Sequence, residues 1–282
     1  GDKYADLAIG SPYENTYGFL QDGMVTLVDG AASGLSLSHV TDVTGGQLNH
    51  TSVWPFNIGT SLVIADTNGD GLGEVIVAAP GTQRNTPPTD PIAGAGAVFV
   101  LHGAKAGISA SGALTIGEDT PGVPGVAEEE DGFGFRIAAG DITGDGRADL
   151  LIGVPYEDIG STADAGVVYL VPSSPSGLLP SKTTTVNQGS PGVPGSIATD
   201  DLFGLALGIH NLAGTSAMEA LVGTPNDGGP NAASSGSITT FTSNGGTLAP
   251  GVRWTTADFA ISDGTTFTNM PMPYGGVPGP GL

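Results

Sequence analysis

The stretch Asp141-Ile-Thr-Gly-Asp-Gly-Arg-Ala-Asp-Leu-Leu-Ile-Gly-Val-Pro155 places oxygen-bearing side chains at its first, third, fifth and ninth positions and then runs into an apolar strand. A second copy, Asp66-Thr-Asn-Gly-Asp-Gly-Leu-Gly-Glu-Val-Ile-Val-Ala-Ala-Pro80, does the same. Hard divalent cations take about six to eight oxygen ligands, and alternate residues of a tight loop, opened by glycines that permit positive φ, can aim several at one centre. The candidate Ca²⁺ ligands are therefore Asp66, Asn68, Asp70 and Glu74 with the Leu72 carbonyl, and Asp141, Thr143, Asp145 and Asp149 with the Arg147 carbonyl. Mg²⁺ suits these loops less, because it demands a small octahedral shell rich in water. The plainer reading is an Asp-Gly turn held by Asx hydrogen bonds, but four spaced oxygens recurring in register favour a cation. Aligning Asp6 with Asp149 gives a partial site, Asp2, Tyr4 and Asp6, that lacks positions one to three. In a further copy the corresponding residues are Asn211, Ala213, Thr215 and Glu219; carboxylates at positions one and five are gone, and that loop is expected to be empty or weak.

The loops belong to a longer period. Small residues followed by proline end apolar runs at Pro12, Pro80, Pro155 and Pro225, which stand 68, 75 and 70 residues apart. A glycine opening a strand-like run recurs at Gly23, Gly96, Gly166 and Gly236, with spacings of 73, 70 and 70. Two independent landmarks share one period, which identifies a repeat architecture before any local assignment. Within one unit, residues 131–140 read as a first strand, 150–154 as a second, 166–171 as a third and 183–187 as a fourth. Short runs of Val, Ile and aromatics between Gly, Pro, Asn and Ser are strand-and-turn chemistry, and no stretch has sustained helical periodicity. The expected fold is all-β: a β-propeller of four-stranded antiparallel blades, about four in this chain. The units run approximately 1–55, 56–130, 131–200 and 201–270, with a Pro/Gly-rich tail at 271–282.

At this point the residues carry a resemblance. Phe133-Gly134 and Gly153-Val-Pro155 around a nine-residue Asp loop resemble the FG-GAP repeats of integrin α-chain propellers and of their bacterial secreted relatives. Phe203-Gly204 with Gly223-Thr-Pro225 is a second copy, Phe56 to Gly59 with Ala78-Ala-Pro80 a looser one, and Gly1 to Pro12 the tail of another. The resemblance implies structural Ca²⁺, at least two ions, in an extracellular or cell-surface protein. Such propellers usually close with about seven blades. Either the remaining blades lie in a missing segment or another chain, or a strand from the C-terminus, for which residues 257–263 qualify, closes a smaller ring. An unclosed half-ring would expose the backbone edges of its terminal blades, and completion by missing blades is the preferred alternative.

Composition agrees with a turn-dense β scaffold: of 282 residues, 48 are glycine, 21 are proline and none is cysteine. The absence of thiols excludes disulfides and Cys-zinc sites without fixing the compartment. Twenty-eight acidic against seven basic residues give a formal charge of −21, which repels phosphate backbones; nucleic acid is not an expected partner. No apolar run approaches the roughly 18 residues of a membrane span, so no membrane insertion is expected. The acidic run Glu128-Glu-Glu-Asp131 reads as a solvated loop, with an accessory cation or partner patch as the alternative.

No catalytic constellation is legible. His39, His50, His102 and His210 are scattered, and neither a His-Glu-x-x-His nor a Gly-x-Ser-x-Gly pattern occurs, so the chain is not expected to be an enzyme. Trp54, Trp254, Tyr13, Tyr17 and Tyr156 fit sugar or partner stacking, though core packing suits them better, and Asn49-His-Thr51 is a glycosylation sequon. The expected function is a Ca²⁺-stabilised extracellular propeller that binds a protein or glycan through loops on one face. The alternatives are the non-catalytic propeller portion of a secreted hydrolase-like enzyme and a subunit of a self-assembling surface structure.

Overall fold

The computed structural model describes residues 3–16, 21–48, 56–84, 91–227, 236–255 and 258. Trp54, Tyr17, the sequon at 49–51 and all but residue 258 of the 257–263 segment lie outside them. The first sheet is formed by β1 (Leu7–Ser11), β2 (Met24–Ala31) and β3 (Gly34–Thr44), followed by a single helical turn, α1 (Gly45–Leu48). The second comprises β4 (Leu62–Ala65), β5 (Glu74–Ala79), β6 (Ala97–Leu101) and, after the short hairpin β7 (Gly103–Ala104) and β8 (Gly107–Ile108), β9 (Leu114–Ile116). The third repeats that plan as β10 (Arg136–Gly140), β11 (Asp149–Val154), β12 (Val167–Val171), hairpin β13 (Ser173–Ser174) and β14 (Gly177–Leu178), and β15 (Thr184–Val186). The fourth is β16 (Ala206–His210), β17 (Glu219–Thr224), β18 (Ser237–Asn244) and β19 (Thr247–Thr255).

Every pairing within these sheets is antiparallel, and the strands of each sheet lie side by side in chain order with only the short hairpins skipped, as in Ile137↔Ile152, Ile152↔Tyr169 and Tyr169↔Thr185 of the third. The chain is thus nearly all β, built from four-stranded antiparallel sheets of propeller-blade type. In the first sheet three strands are described; β1 pairs with β2 as β5, β11 and β17 pair with their successors. β10 lies between β4 and β16, so the first strands of the later sheets gather along one edge.

The sheets stack face to face, and the period of two along each strand decides which core a residue enters. On β5, Val75, Val77 and Ala79 pack toward the first sheet with Val25 and Leu27, whereas Ile76 and Ala78 pack toward the third. On β12, Val167, Tyr169 and Val171 face the second sheet, while Val168 and Leu170 join Phe203 and Phe241 against the fourth. β5, β6, β11 and β12 are buried along their whole length because both faces are covered. That is why their sequences read as unbroken apolar runs rather than alternating ones.

The Phe-Gly landmarks are the joints between sheets. The reading of 131–140 as one strand was too long: strand begins at Arg136, and 131–135 is a turn closed by Phe135 N–H to Gly132 O at 2.8 Å. Phe133 instead turns back to the preceding sheet, its N–H donating to Ala95 O at 2.9 Å in a parallel bridge with Gly96. Phe203 repeats this with Ala165 O at 3.1 Å. The fit requires glycine, because a Cβ on Gly96 would stand 2.3 Å from the Phe133 nitrogen, and Gly96 has φ +85. Both phenylalanines are fully buried, and Phe133 packs on Tyr169 with ring centroids 5.1 Å apart. The hairpins β7–β8 and β13–β14 were not legible; two-residue strands carry too little periodicity.

Candidate metal centres

The Asp loops connect the first strand of a sheet to its second. Their ninth positions, Glu74 and Asp149, are the first residues of β5 and β11 and are buried, so each loop is anchored where the core begins. Asp66 wraps its loop by accepting Gly69 N–H at 2.6 Å and Gly71 N–H at 2.9 Å. Asp141 plays the same part with the N–H groups of Asp145 and Gly146, at 2.9 and 2.8 Å. Fifth-position carboxylates accept two residues on: Asp70 from Leu72 N–H at 2.7 Å, Asp145 from Arg147 N–H at 3.0 Å. Ninth-position carboxylates reach back, Glu74 to Thr67 N–H and Asp149 to Thr143 N–H, both at 2.8 Å.

The cation fit differs in detail between the loops. In the first, the Asn68 amide donates N–H to Asp70 Oδ2 (3.2 Å) and Glu74 Oε1 (3.3 Å) while its Oδ1 accepts Asp70 N–H at 2.8 Å, so Asn68 turns its nitrogen rather than its expected ligand oxygen toward the two carboxylates. In the second, the Thr143 hydroxyl oxygen is buried with no partner, and Arg147 pairs with Asp145. The carboxylates of both loops are hard oxygen donors of the kind Ca²⁺ takes, and Thr143 Oγ1 has no protein partner. The Leu72 and Arg147 positions lie within these same wrapped turns. The loops are also tied to one another: Asp66 O accepts Ala148 N–H at 3.0 Å, and Asp141 O accepts Met218 N–H at 2.8 Å. A cation that stiffened one loop would therefore act on the next sheet as well.

The degenerate loops depart as their sequences require. Asn211 donates its side-chain amide to Thr215 O at 2.6 Å instead of accepting loop N–H groups. Asp6 Oδ1 accepts Gly30 N–H at 2.8 Å, as Asp149 Oδ1 accepts Ser173 N–H at 2.8 Å. Tyr4 lies beneath the Lys3 ammonium, 5.9 Å from the ring centroid, and Asp2 is outside the described residues.

A different set of acids converges between the second and third sheets. Among the described residues, Glu118, Asp131 and Glu157 alone bring three carboxylate oxygens within 4.8 Å of one another. Glu118 follows β9, Asp131 ends the acidic run, and Glu157 follows β11; the Tyr169 hydroxyl on β12 donates to Glu118 Oε1. Burial raises Glu118 to about 8, Asp131 to about 6 and Glu157 to about 9; repulsion from Asp131 and Glu128 adds to the rise at Glu118, from Glu128 and Asp158 at Asp131, and from Glu118, Asp131 and Glu128 at Glu157, while a side-chain hydrogen bond with Glu118 holds Asp131 down. Burial and the adjoining Glu118 likewise push the Tyr169 hydroxyl upward. The run at 128–131 is accordingly split: Glu128, Glu129 and Glu130 are exposed, but Asp131 turns inward and accepts Glu128 N–H at 2.6 Å. These acids are 13 and 26 residues apart in sequence, so no local motif joins them, and only Asp131 falls in a run for which an accessory cation is the alternative reading. Tyr13 is 63% exposed, while Tyr156 packs edge-on against Phe135.

Comparison with known proteins agrees with this geometry. The FG-GAP repeat model matches residues 58–101 and 133–171, each stretch running from a joint residue to the end of a third strand. Phosphatidylinositol-glycan-specific phospholipase D of Homo sapiens is 28% identical over 180 residues, 62% of this chain and 19% of that protein. Integrin alpha-5 of Xenopus laevis is 30% identical over 227 residues, 79% of this chain and 18% of that protein. The chain thus spans about a fifth of the length of these relatives. A Bacillus licheniformis rhamnogalacturonan lyase superposes with a TM-score of 0.41 at 12% identity, covering 90% of this chain and 48% of the other. Joint residues, repeated sheets and matched stretches coincide, and the chain belongs to the propeller-like FG-GAP repeat family.

Proposed function

We propose that the chain is a Ca²⁺-stabilised portion of an extracellular β-propeller, divided into the four repeat units read from its sequence, that binds a protein or glycan. The observation that carries this reading is the pair of oxygen-lined loops, wrapped alike around Asp66 and Asp141 and linked through Asp66 O to the following loop. Their metal role is structural: a cation that binds only the folded loop adds its binding free energy to folding. At an ion concentration 100-fold above Kd that contribution is about 2.7 kcal/mol per site. Loops away from the Ca²⁺ side are then free to vary and to recognise a partner. The chain itself is not the catalytic part, and the external location is what the FG-GAP likeness implies. A second reading, a propeller carried by an enzyme, is favoured by the match to a protein named as a phospholipase D.

Calorimetry with and without EDTA tests the metal reading. Chelation should lower the melting temperature and protease resistance, and the double variant Asp66→Asn, Asp141→Asn should lose most of that difference. An unchanged melting curve on chelation would overturn it.

A further inference from the structure

The seam between the second and third sheets is short of positive charge, and the next seam shows what is missing. The trio Glu118, Asp131 and Glu157 recurs 70 residues later as Gln188, Asp201 and Asp227. Local bonding confirms the equivalence. Asp131 accepts Glu128 N–H at 2.6 Å and Asp201 accepts Ala198 N–H at 2.7 Å; Glu157 N–H reaches Val154 O and Asp227 N–H reaches Thr224 O, both at 3.4 Å. Gly125 abuts Glu118 as Gly195 abuts Gln188. In the later seam the chain supplies its own cation: Arg253 donates Nε–H to Asp227 at 2.9 Å and makes a second bond through Nη2. Arg253 stands opposite Thr239 on the neighbouring strand; in the earlier seam the matching pair is Thr185 opposite Tyr169. No basic side chain among the described residues is paired with Glu118, Asp131 or Glu157.

The earlier seam also keeps open valences. Glu118 is only 4% exposed, yet its Oε2 has no hydrogen-bond partner, and Oε2 of Glu157 is buried and unpartnered too. An orphaned carboxylate oxygen in the interior is costly unless something positive meets it. Two oxygens on one Ca²⁺ lie at most about 5 Å apart, twice the usual bond length, so oxygens within 4.8 Å of one another can share an ion.

We propose that Glu118, Asp131 and Glu157 bind a hard divalent cation that clamps the second sheet to the third, at a centre separate from the Asp loops. It performs between these sheets the charge compensation that the Arg253 guanidinium performs in the next seam. The Tyr169 hydroxyl orients Glu118 and, with it, the ligand set.

Equilibrium dialysis of the stripped full chain against Ca²⁺, with metal analysis, tests this. Asp66→Asn, Asp141→Asn should retain one ion, and adding Glu118→Gln, Glu157→Gln should remove it. With Tb³⁺ as probe in the loop-deficient background, Tyr169→Phe should cut tyrosine-sensitised emission several-fold while leaving one ion bound. Should the quadruple variant fail to fold by circular dichroism, Glu118→Gln or Glu157→Gln alone in the loop-deficient chain should weaken Ca²⁺ binding at least tenfold. No ion in the loop-deficient protein, or an ion that survives the glutamine substitutions, overturns the proposal. If instead the Asp loops bind nothing, the wild-type chain still holds one ion that the glutamine substitutions abolish, so the two readings fail separately.

Discussion

At the scale of single residues, the FG-GAP landmarks are explained by contacts rather than by composition. Gly96 sits where Phe133 of the next unit returns its N–H to the preceding sheet, and a methyl group there would meet backbone at 2.3 Å. Gly112 shares a positive φ, +78, but nothing lies within 4 Å of its missing Cβ. Gly112→Ala should therefore cost about 1 kcal/mol, the left-handed backbone penalty alone. Gly96→Ala should cost about 3 kcal/mol or more, because the clash forces the joint apart. Urea unfolding of both variants checks the difference, and equal losses would show that the joint yields easily. The seam acids belong to the same scale: each has ordinary chemistry alone and becomes unusual through neighbours from distant parts of the chain.

At the scale of elements, the third sheet is gripped on two sides, by Phe133 and the acid cluster on one and by Phe203 on the other. The cluster makes a pH prediction for metal-stripped protein. Folding raises Glu118 and Glu157 from the usual carboxyl value of 4.5 to about 8 and about 9, so between those limits the folded state holds more protons than the unfolded. Stability must then fall as pH rises from about 4.5 toward about 9. Thermal melts in EDTA across this range should show the decline, and Glu157→Gln should flatten it. A melting temperature that climbs over the same range in EDTA would contradict the buried protonated acids.

At the scale of the whole molecule, four sheets joined at similar interfaces behave as a linear array, in which each is stabilised mainly by its neighbours. The second and third sheets have both faces covered, whereas Leu7 and Ile9 on β1 are 41% and 43% exposed and Val252 on β19 is 55% exposed. Amide hydrogen exchange should accordingly be slowest in β5, β6, β11 and β12 and faster in β1 and β19, and uniform protection would argue against this arrangement. Much of this plan was legible beforehand. A period near 70 residues, the apolar runs after each Asp loop and the Phe-Gly pairs specify repeated antiparallel sheets, because strand alternation and turn chemistry act over a few residues. Asp66 and Asp141 stand out in the sequence as candidate ligands for the same reason: their oxygens and glycines lie in one short loop. Glu118, Glu157 and Tyr169 do not stand out, and Asp131 does so only as the end of an acidic run whose alternative reading is an accessory cation, although Gln188, Asp227 and Arg253 one period later hold a faint signal. Which face of a buried strand meets which neighbour, and hence which distant acids share one seam without a counter-charge, depends on the stacking of sheets. The local sequence determined the blades and their loops, and only the packing between blades brought the acids Glu118, Asp131 and Glu157 together.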